Sequence, residues 1–306
     1  MRVAVLGLGF MGATHVKAWA SVKGAELAGV MSSNPAKLAG DLSSVGGNLG
    51  VTFAREDFGA ATRFTSLDAV LADASVEAVD ICLPTDLHAS ATLAALRAGK
   101  HVLVEKPMAL GVSDALAMCA AADQAERVLM AGHVLRFIPA YRTLAGYVRN
   151  SRVNAALFRR QCGKPAWLAD ISRSGGAVLD LLIHDIDFCI ATWGMPEAVR
   201  ATGTEDLIRA QLTYPRVDAV IEGGWHADPA FPFSMEYEVG DLRWSSLDPD
   251  QDTTDPFVEE LQYFADCVNQ GNLPDFCPPE QSAQSVALAR FILESRDNNG
   301  KLIRTS

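Results

Sequence analysis

Arg2-Val3-Ala4-Val5-Leu6-Gly7-Leu8-Gly9-Phe10-Met11-Gly12 is the stretch that decides the fold. Residues 2–6 form a short apolar run rich in β-formers. Three glycines follow in the spacing G-x-G-x-x-G, and residues 13–22 then carry a helical pattern. A glycine motif alone is weak evidence, but strand, glycines and helix in this order are the context it requires. In that context Gly7 makes the tight turn, Gly9 lets a pyrophosphate approach the backbone, and Gly12 lets helix pack on strand. Phe10 and Met11 share the turn. The helix start that follows offers amide donors and a positive dipole end to phosphate.

Working outward, the alternation continues. Strands are expected over 25–31, 76–83, 100–104 and 128–131, with helices over 66–72, 89–98 and 113–126 between them. Residues 41–61, rich in Gly, Ser and Asn, read as a loop with at most a short strand at 51–54. Repeated β-α-β predicts a doubly wound parallel sheet. An NAD-preferring fold of this kind places an acid about 20 positions past the last glycine, to hold the ribose hydroxyls. Here that position is Ser32, in Ser32-Ser33-Asn34-Pro35-Ala36-Lys37. No carboxylate repels a 2′-phosphate and Lys37 can reach one, which leans the cofactor expectation towards NADP; relaxed specificity for NAD(P) also fits.

The run Lys100-His101-Val102-Leu103-Val104-Glu105-Lys106-Pro107 ends an apolar strand on a carboxylate, an amine and a proline. Open α/β sheets bind ligands beyond the carboxyl ends of their strands. Pro84-Thr85 and Glu105-Lys106-Pro107 both fall there, so they should flank one crevice. His88, one turn on from Thr85, either lines the nicotinamide side or is a surface residue at a helix start. Glu105 either pairs with Lys106 or stabilises the loop.

Beyond Gly132 the organisation changes. After a helix over 140–149, strands are expected over 153–161, 199–203, 207–214, 218–225, 234–239 and 242–245, and two helices, 257–269 and 279–295, close the chain. This predicts an α+β domain with a large, mostly antiparallel open sheet. The domains expected are 1–131, binding NAD(P), and 132–306, for substrate binding and oligomerisation, with the last helices free to pack back on the first. Within the second lies Gly175-Gly176-Ala177-Val178-Leu179-Asp180-Leu181-Leu182-Ile183-His184-Asp185-Ile186-Asp187. Asp180 and His184 are four apart, which in an α-helix puts them on one face. An acid and an imidazole on an otherwise apolar helix need partners, either each other or a ligand.

The chain has 306 residues, 49% of them hydrophobic and 21% charged, with a formal charge of −11. An acidic chain is a poor partner for nucleic acid or an anionic membrane surface. The start shows no signal-peptide pattern and no run reaches membrane-spanning length. Six cysteines form no Cys-x-x-Cys pair, and no His-Glu-x-x-His accompanies them. A reduced, cytoplasmic protein without a metal site is the expectation.

Three motifs in order resemble the Gfo/Idh/MocA family of glucose–fructose oxidoreductase and inositol dehydrogenase-like proteins. They are Gly7-x-Gly9-x-x-Gly12, Ala98-Gly99-Lys100 through Pro107, and Gly175-Gly176 with Asp180-x-x-x-His184. Pro84-Thr85-x-x-His88 and residues 133–141 are also similar to the family, so the likeness covers essentially the whole chain. The resemblance implies a Rossmann domain followed by a domain whose open sheet mediates homodimers or homotetramers. It implies NAD(P)-dependent oxidation of a secondary hydroxyl, or reduction of the ketone, on a sugar, cyclitol or derivative. It implies that Lys106, Asp180 and His184 surround the substrate, and that the Lys106–Pro107 bond is often cis. Ser32 departs from the acid of NAD-using members, and the 41–61 loop is longer than usual.

The chemistry suits these residues. An imidazole titrating near neutral pH can take the hydroxyl proton as hydride leaves the carbon, which gives His184 its expected role. Lys106 would stabilise the developing alkoxide, and Asp180 would accept substrate hydroxyl hydrogen bonds. Arg136, Arg159, Arg160, Trp167, Asp170 and Arg173 suit a polyol-lining role and a surface or packing role equally. Two other functions share the pattern: a non-catalytic nucleotide-binding regulator, and an NAD-dependent glycoside-cleaving enzyme.

Overall fold

The computed structural model describes residues 1–47, 52–164, 170–248 and 254–305. Val51, at the start of one expected strand, and Trp167 lie outside the described residues. The chain forms two compact units. One comprises Met1–Ala109, Ser113–Gly132 and Asp255–Glu280; the other comprises Leu110–Val112, His133–Thr254 and Gln281–Ser306.

In the first unit the apolar runs leave no face for water: Val3, Val5, Leu6, Val79, Ile81 and Val102 through Val104 are all fully buried. Strands of this kind must be covered on both sides, as parallel strands are. They are β1 (Arg2–Leu6), β2 (Glu26–Met31), β3 (Thr62–Phe64), β4 (Ala78–Ile81), β5 (His101–Glu105) and β6 (Leu129–Gly132). All pairs are parallel and the order is β3-β2-β1-β4-β5-β6. This is the doubly wound order, whose reversal between β1 and β4 opens a crevice at the strand C-termini. The helices are α1 (Phe10–Trp19), α2 (Pro35–Leu38), α3 (Leu67–Ala72), α4 (His88–Arg97) and α5 (Val112–Ala125).

Three details differ from what the sequence predicts. Helix α1 begins at Phe10 rather than residue 13, because Gly9 in extended conformation serves as its N-cap. Strand β3 was not foreseen: three residues are too few for a period to show, and it borders the polar 41–61 stretch. Residues 52–54 form no strand; Arg55 makes a single bridge to Asp41. That stretch still has apolar anchors, with Leu42, Val45, Phe53 and Phe58 buried.

The second unit contains α6 (Pro139–Asn150), β7 (Ala155–Gly163), α7 (Ile171–Ser174), α8 (Ile183–Trp193), β8 (Ala198–Gly203), β9 (Leu207–Thr213), β10 (Asp218–His226), β11 (Ser234–Val239) and β12 (Leu242–Ser245). After α9 (Pro256–Gln270), which belongs to the first unit, come α10 (Pro279–Asp297) and β13 (Ile303–Arg304). The seven strands order as β12-β11-β7-β10-β9-β8-β13. They pair antiparallel except β10 with β7, which run parallel. Along β9, Ile208, Ala210 and Leu212 are buried while Leu207, Arg209 and Gln211 are exposed, the period-2 pattern of a sheet covered on one face. The open face carries an ion-pair ladder, Arg243–Glu238–Arg159–Glu222–Arg209, crossing five strands. Arg159 therefore belongs to this ladder. Among the described residues no helix is long and apolar enough to cross a membrane.

Candidate functional site

The glycine turn has the shape its spacing predicts. Gly7 sits at φ +97°, and a Cβ there would lie 2.7 Å from the Cys82 carbonyl oxygen. A Cβ on Gly12 would fall 1.8 Å from the Gly7 carbonyl oxygen, so helix and turn touch through bare backbone. A Cβ on Gly9 would meet nothing within 4 Å: this backbone faces open space. No side chain caps α1, which leaves its first amides for an outside acceptor. A phosphate fits this cradle in charge and in space. Phe10 turns instead towards the 41–61 stretch, edge-on to Phe53 at 5.7 Å and against Gly47. Met11 is half-buried beside it.

At the end of β2, Ser32 is buried and its Oγ accepts the Asn34 amide at 3.1 Å. Asn34 in turn caps α2, receiving the amides of Ala36 and Lys37. Ser33 is exposed and Lys37 half-buried. Two hydroxyls and one amine therefore occupy the place where an NAD-preferring chain would carry its acid.

Past β4, Pro84 is exposed and Thr85 begins a 3-10 turn. His88 is buried, 1% exposed. Its Nδ1 lies 2.8 Å from the Pro107 carbonyl oxygen and its Nε2 2.9 Å from that of Leu83. Burial pushes its pKa down, against the pull of those two carbonyls. His88 thus tethers the ends of β4 and β5 to each other, and both ring nitrogens face main chain. Between Val102 and Ala109 every residue is buried except Lys106, and the Lys106–Pro107 bond is cis. Glu105 is 6% exposed; its Oε2 accepts the Lys106 backbone N–H at 3.0 Å. Glu105 therefore holds the main chain that carries the lysine.

A buried polar cluster that the sequence reading missed lies behind these residues. His15 of α1 is completely buried, with Nδ1 2.9 Å from Asp80 Oδ2 and Nε2 3.1 Å from Glu105 Oε1. Trp19, one turn along α1, donates its indole N–H to the same Asp80 oxygen at 2.8 Å. Cys82 Sγ lies 3.5 Å from His15 Nδ1 and from Asp80 Oδ1. Burial alone would depress the His15 pKa, but Asp80 and Cys82 outweigh it and hold the imidazole well above its usual value. Burial likewise works against ionised Glu105, yet His15 and Lys106 bring its carboxyl below the usual range. The ligand atoms of His15, Asp80 and Cys82 lie within 4.8 Å of one another, a spacing a metal ion would accept. Asp80 Oδ2 already faces an imidazole nitrogen and an indole N–H, so this carboxylate is satisfied by side-chain donors. The signal in the sequence was Asp80 itself, a carboxylate within Ala78-Val79-Asp80-Ile81, which a buried strand cannot leave unpaired.

In the second unit the Gly175-Gly176 segment leads into a π-helical turn, Val178–Leu182, that continues as α8. Asp180 lies in the π turn and His184 in the first turn of α8, so the α-helical spacing assumed for them does not hold throughout. π turns inside helices recur at functional sites. From Gly176 to Ile190 every residue is buried except Asp180 and His184. Neighbouring Asp185 and Asp187 face inward. Arg160 donates Nε and Nη2 to Asp185 at 2.7 and 3.0 Å, and the Tyr141 hydroxyl joins at 3.3 Å. Arg136 donates to both oxygens of Asp187 at 2.7 and 2.8 Å, with Ser285 Oγ at 3.1 Å. Arg136 and Arg160 are thus buried partners of α8, and Asp170 caps α7 through Ser172 N. Arg173 is exposed.

Residues 1–133 match the family model described as the oxidoreductase family, NAD-binding Rossmann fold, and residues 145–240 match the GFO/IDH/MocA C-terminal domain. The chain belongs to the Gfo/Idh/MocA family. Among curated relatives, UDP-N-acetylglucosamine 3-dehydrogenase of Acidithiobacillus ferrooxidans is 32% identical over 66% of this chain and 58% of its own. The match thus spans a little over half of that relative's length. The scyllo-inositol 2-dehydrogenase (NAD(+)) of Bacillus subtilis is 29% identical over 90% of this chain and 88% of its own. Among solved structures, a probable dehydrogenase from Thermotoga maritima superposes with a TM-score of 0.83 at 21% identity, covering 100% of this chain and 99% of that one. That likeness concerns the fold.

Proposed function

We propose that this protein is an NAD(P)-dependent oxidoreductase that moves a hydride between nicotinamide and a secondary alcohol or ketone carbon of a sugar, cyclitol or sugar derivative. One observation carries the reading: in two long buried runs, the residues that stay half-buried are Lys106 in one and Asp180 and His184 in the other. A lysine, an acid and an imidazole suit removal of hydride from a carbinol, which needs a base for the hydroxyl proton and a donor for the developing alkoxide. The curated relatives named above, dehydrogenases of an amino-sugar nucleotide and of a cyclitol, support the substrate class.

In this reading residues 1–131 bind the cofactor, and residues 132–306 bind substrate and build a homodimer or homotetramer through the open sheet. Gly7, Gly9, Gly12 and the amides of Phe10 and Met11 would hold the pyrophosphate. Ser32, Ser33 and Lys37 would hold the adenosine ribose, with NADP(H) favoured by the missing acid. Pro84, Thr85, Glu105 and Lys106 would border the nicotinamide half, with His88 fixing the strand ends. Bound there, the cofactor supplies the hydride acceptor or donor. His184 takes the hydroxyl proton, the task an imidazole is suited to as a general base. Lys106 donates to the same oxygen as negative charge develops on it. Asp180 accepts hydrogen bonds from the substrate's hydroxyls and so sets which carbon faces the cofactor.

The test is a panel of sugars, cyclitols and keto-sugars with both cofactors, followed by nicotinamide absorbance, and then Lys106→Ala and His184→Ala on the best substrate. Each variant should lose about 100-fold or more in turnover at saturating cofactor. Near-normal rates in both would refute the assignment. Reduced cofactor should accumulate one for one with oxidised product, which a glycoside-cleaving enzyme or a regulator would not show.

A further inference from the structure

We propose that His15 is a positioning residue for the reaction: clamped between Asp80 and Glu105, it fixes the carboxylate that holds the Lys106 main chain and ties that lysine to the glycine-turn helix. This role rests on the catalytic role proposed for Lys106, through which the fully buried His15 would act.

The geometry is a continuous chain of contacts. Trp19 donates to Asp80, Asp80 holds His15 Nδ1, His15 Nε2 meets Glu105 Oε1, and Glu105 Oε2 accepts the Lys106 N–H. Gly12 and His15 stand on the same helix. Gly12 packs on the turn expected to hold the pyrophosphate, and His15 reaches the strand end that carries the lysine. The groups facing His15 come from three neighbouring elements: Asp80 and Cys82 at β4, Glu105 at β5, and the Phe257 ring of α9, 5.9 Å away between centroids. On its own helix the polar neighbour is Trp19. Beyond Glu105 stand His88 and Lys106.

Charge explains why a histidine suits this place. Asp80 is completely buried and Glu105 nearly so. Two carboxylates this deep, with one imidazole between them, are tolerable only with a proton shared into the cluster, and an imidazolium can donate from both nitrogens at once. A neutral ring would donate to one carboxylate and turn a lone pair on the other. The imidazolium therefore keeps Glu105 ionised, aligned and accepting from the Lys106 amide. Small displacements at such a distance from the chemistry are costly, because the reacting groups must stay within a narrow range of separation.

The test compares His15→Gln with the parent in the cofactor-loaded protein. Turnover should fall about 10- to 100-fold, while the cofactor Kd stays within about threefold. The 13Cε resonance of Lys106 in lysine-labelled protein should move as well, a readout that a merely structural role would not shift. Glu105→Gln, which keeps an oxygen for the Lys106 amide, should retain more turnover than Glu105→Ala. In the unaltered protein the 15N shifts of His15 should report an imidazolium at neutral pH, which keeps the idea testable should the variants not fold. An unmoved Lys106 resonance with unchanged turnover in His15→Gln overturns the proposal, as does a neutral His15 ring in the parent. The reading of Lys106 fails separately: normal turnover in Lys106→Ala would sink it whatever the lysine resonance does in His15→Gln.

Discussion

Between Glu26 and Asp41 the chain carries no carboxylate, and Lys37 is the one cation in that interval. This is the whole basis for reading the adenosine end. The structure adds that the Ser32 hydroxyl already accepts the Asn34 amide and that Asn34 caps the short helix bearing Lys37. A half-buried lysine meeting a phosphate in partly solvated surroundings is worth little, up to about 1 kcal/mol. Lys37→Ala should therefore weaken NADP(H) about fivefold and leave NAD(H) nearly unchanged, in a fluorescence titration of both cofactors. Equal weakening of the two would refute this role for the lysine. His88 teaches the reverse lesson. Its position in the sequence suggested a surface or a nicotinamide contact, and only the fold shows both ring nitrogens turned to main-chain carbonyls.

At the scale of elements, the helix bearing His184 is held by two buried arginine–aspartate pairs, from Arg160 and Arg136. Such pairs are poor sources of net stability but expensive to break, because the partner left behind is an unpaired buried charge. Asp187→Asn should cost about 3–5 kcal/mol at neutral pH, read by chemical denaturation. The pH dependence has a definite sign. Burial works against the Asp187 carboxylate, but Arg136 and His133 overcome it and hold its pKa below the usual value. A depressed folded-state pKa gives stability that is present above the unfolded value of about 3.9 and lost as pH falls through the folded one. The parent should therefore lose more stability than Asp187→Asn on going from neutral pH to about pH 3. Equal losses would mean that the pair does not couple to protonation. The π turn ahead of α8 was not legible, since its residues follow the same apolar pattern as an α-helix.

For the molecule as a whole, all six cysteines are buried and none is joined in a disulfide. Burial raises the thiol of Cys119 to about 12 and pushes those of Cys82 and Cys189 up as well. The reactive form is the thiolate, which is then scarce as well as inaccessible. A thiol reagent at about pH 8 should label almost no cysteine in the native protein and all six in denaturant. Rapid labelling of the native protein would show that one of the buried clusters opens. The same burial makes the cysteines packing residues and, for Cys82, a member of the His15 cluster.

The amino-acid sequence by itself determined the fold class and the glycine turn, and it singled out Lys106, Asp180 and His184 as candidates. Each is written locally: a period of two or of 3.6, a glycine where a Cβ would collide, a charge interrupting an apolar run. Tertiary structure alone decided the partners of Asp80, Glu105, Asp185 and Asp187. Most of these contacts are long-range, such as Asp185 with Arg160, 25 positions apart, and Asp187 with Ser285, 98 apart. A buried charge announces in the sequence that it needs a partner, and only the folded chain says which one, because desolvation sets the requirement and long-range packing answers it.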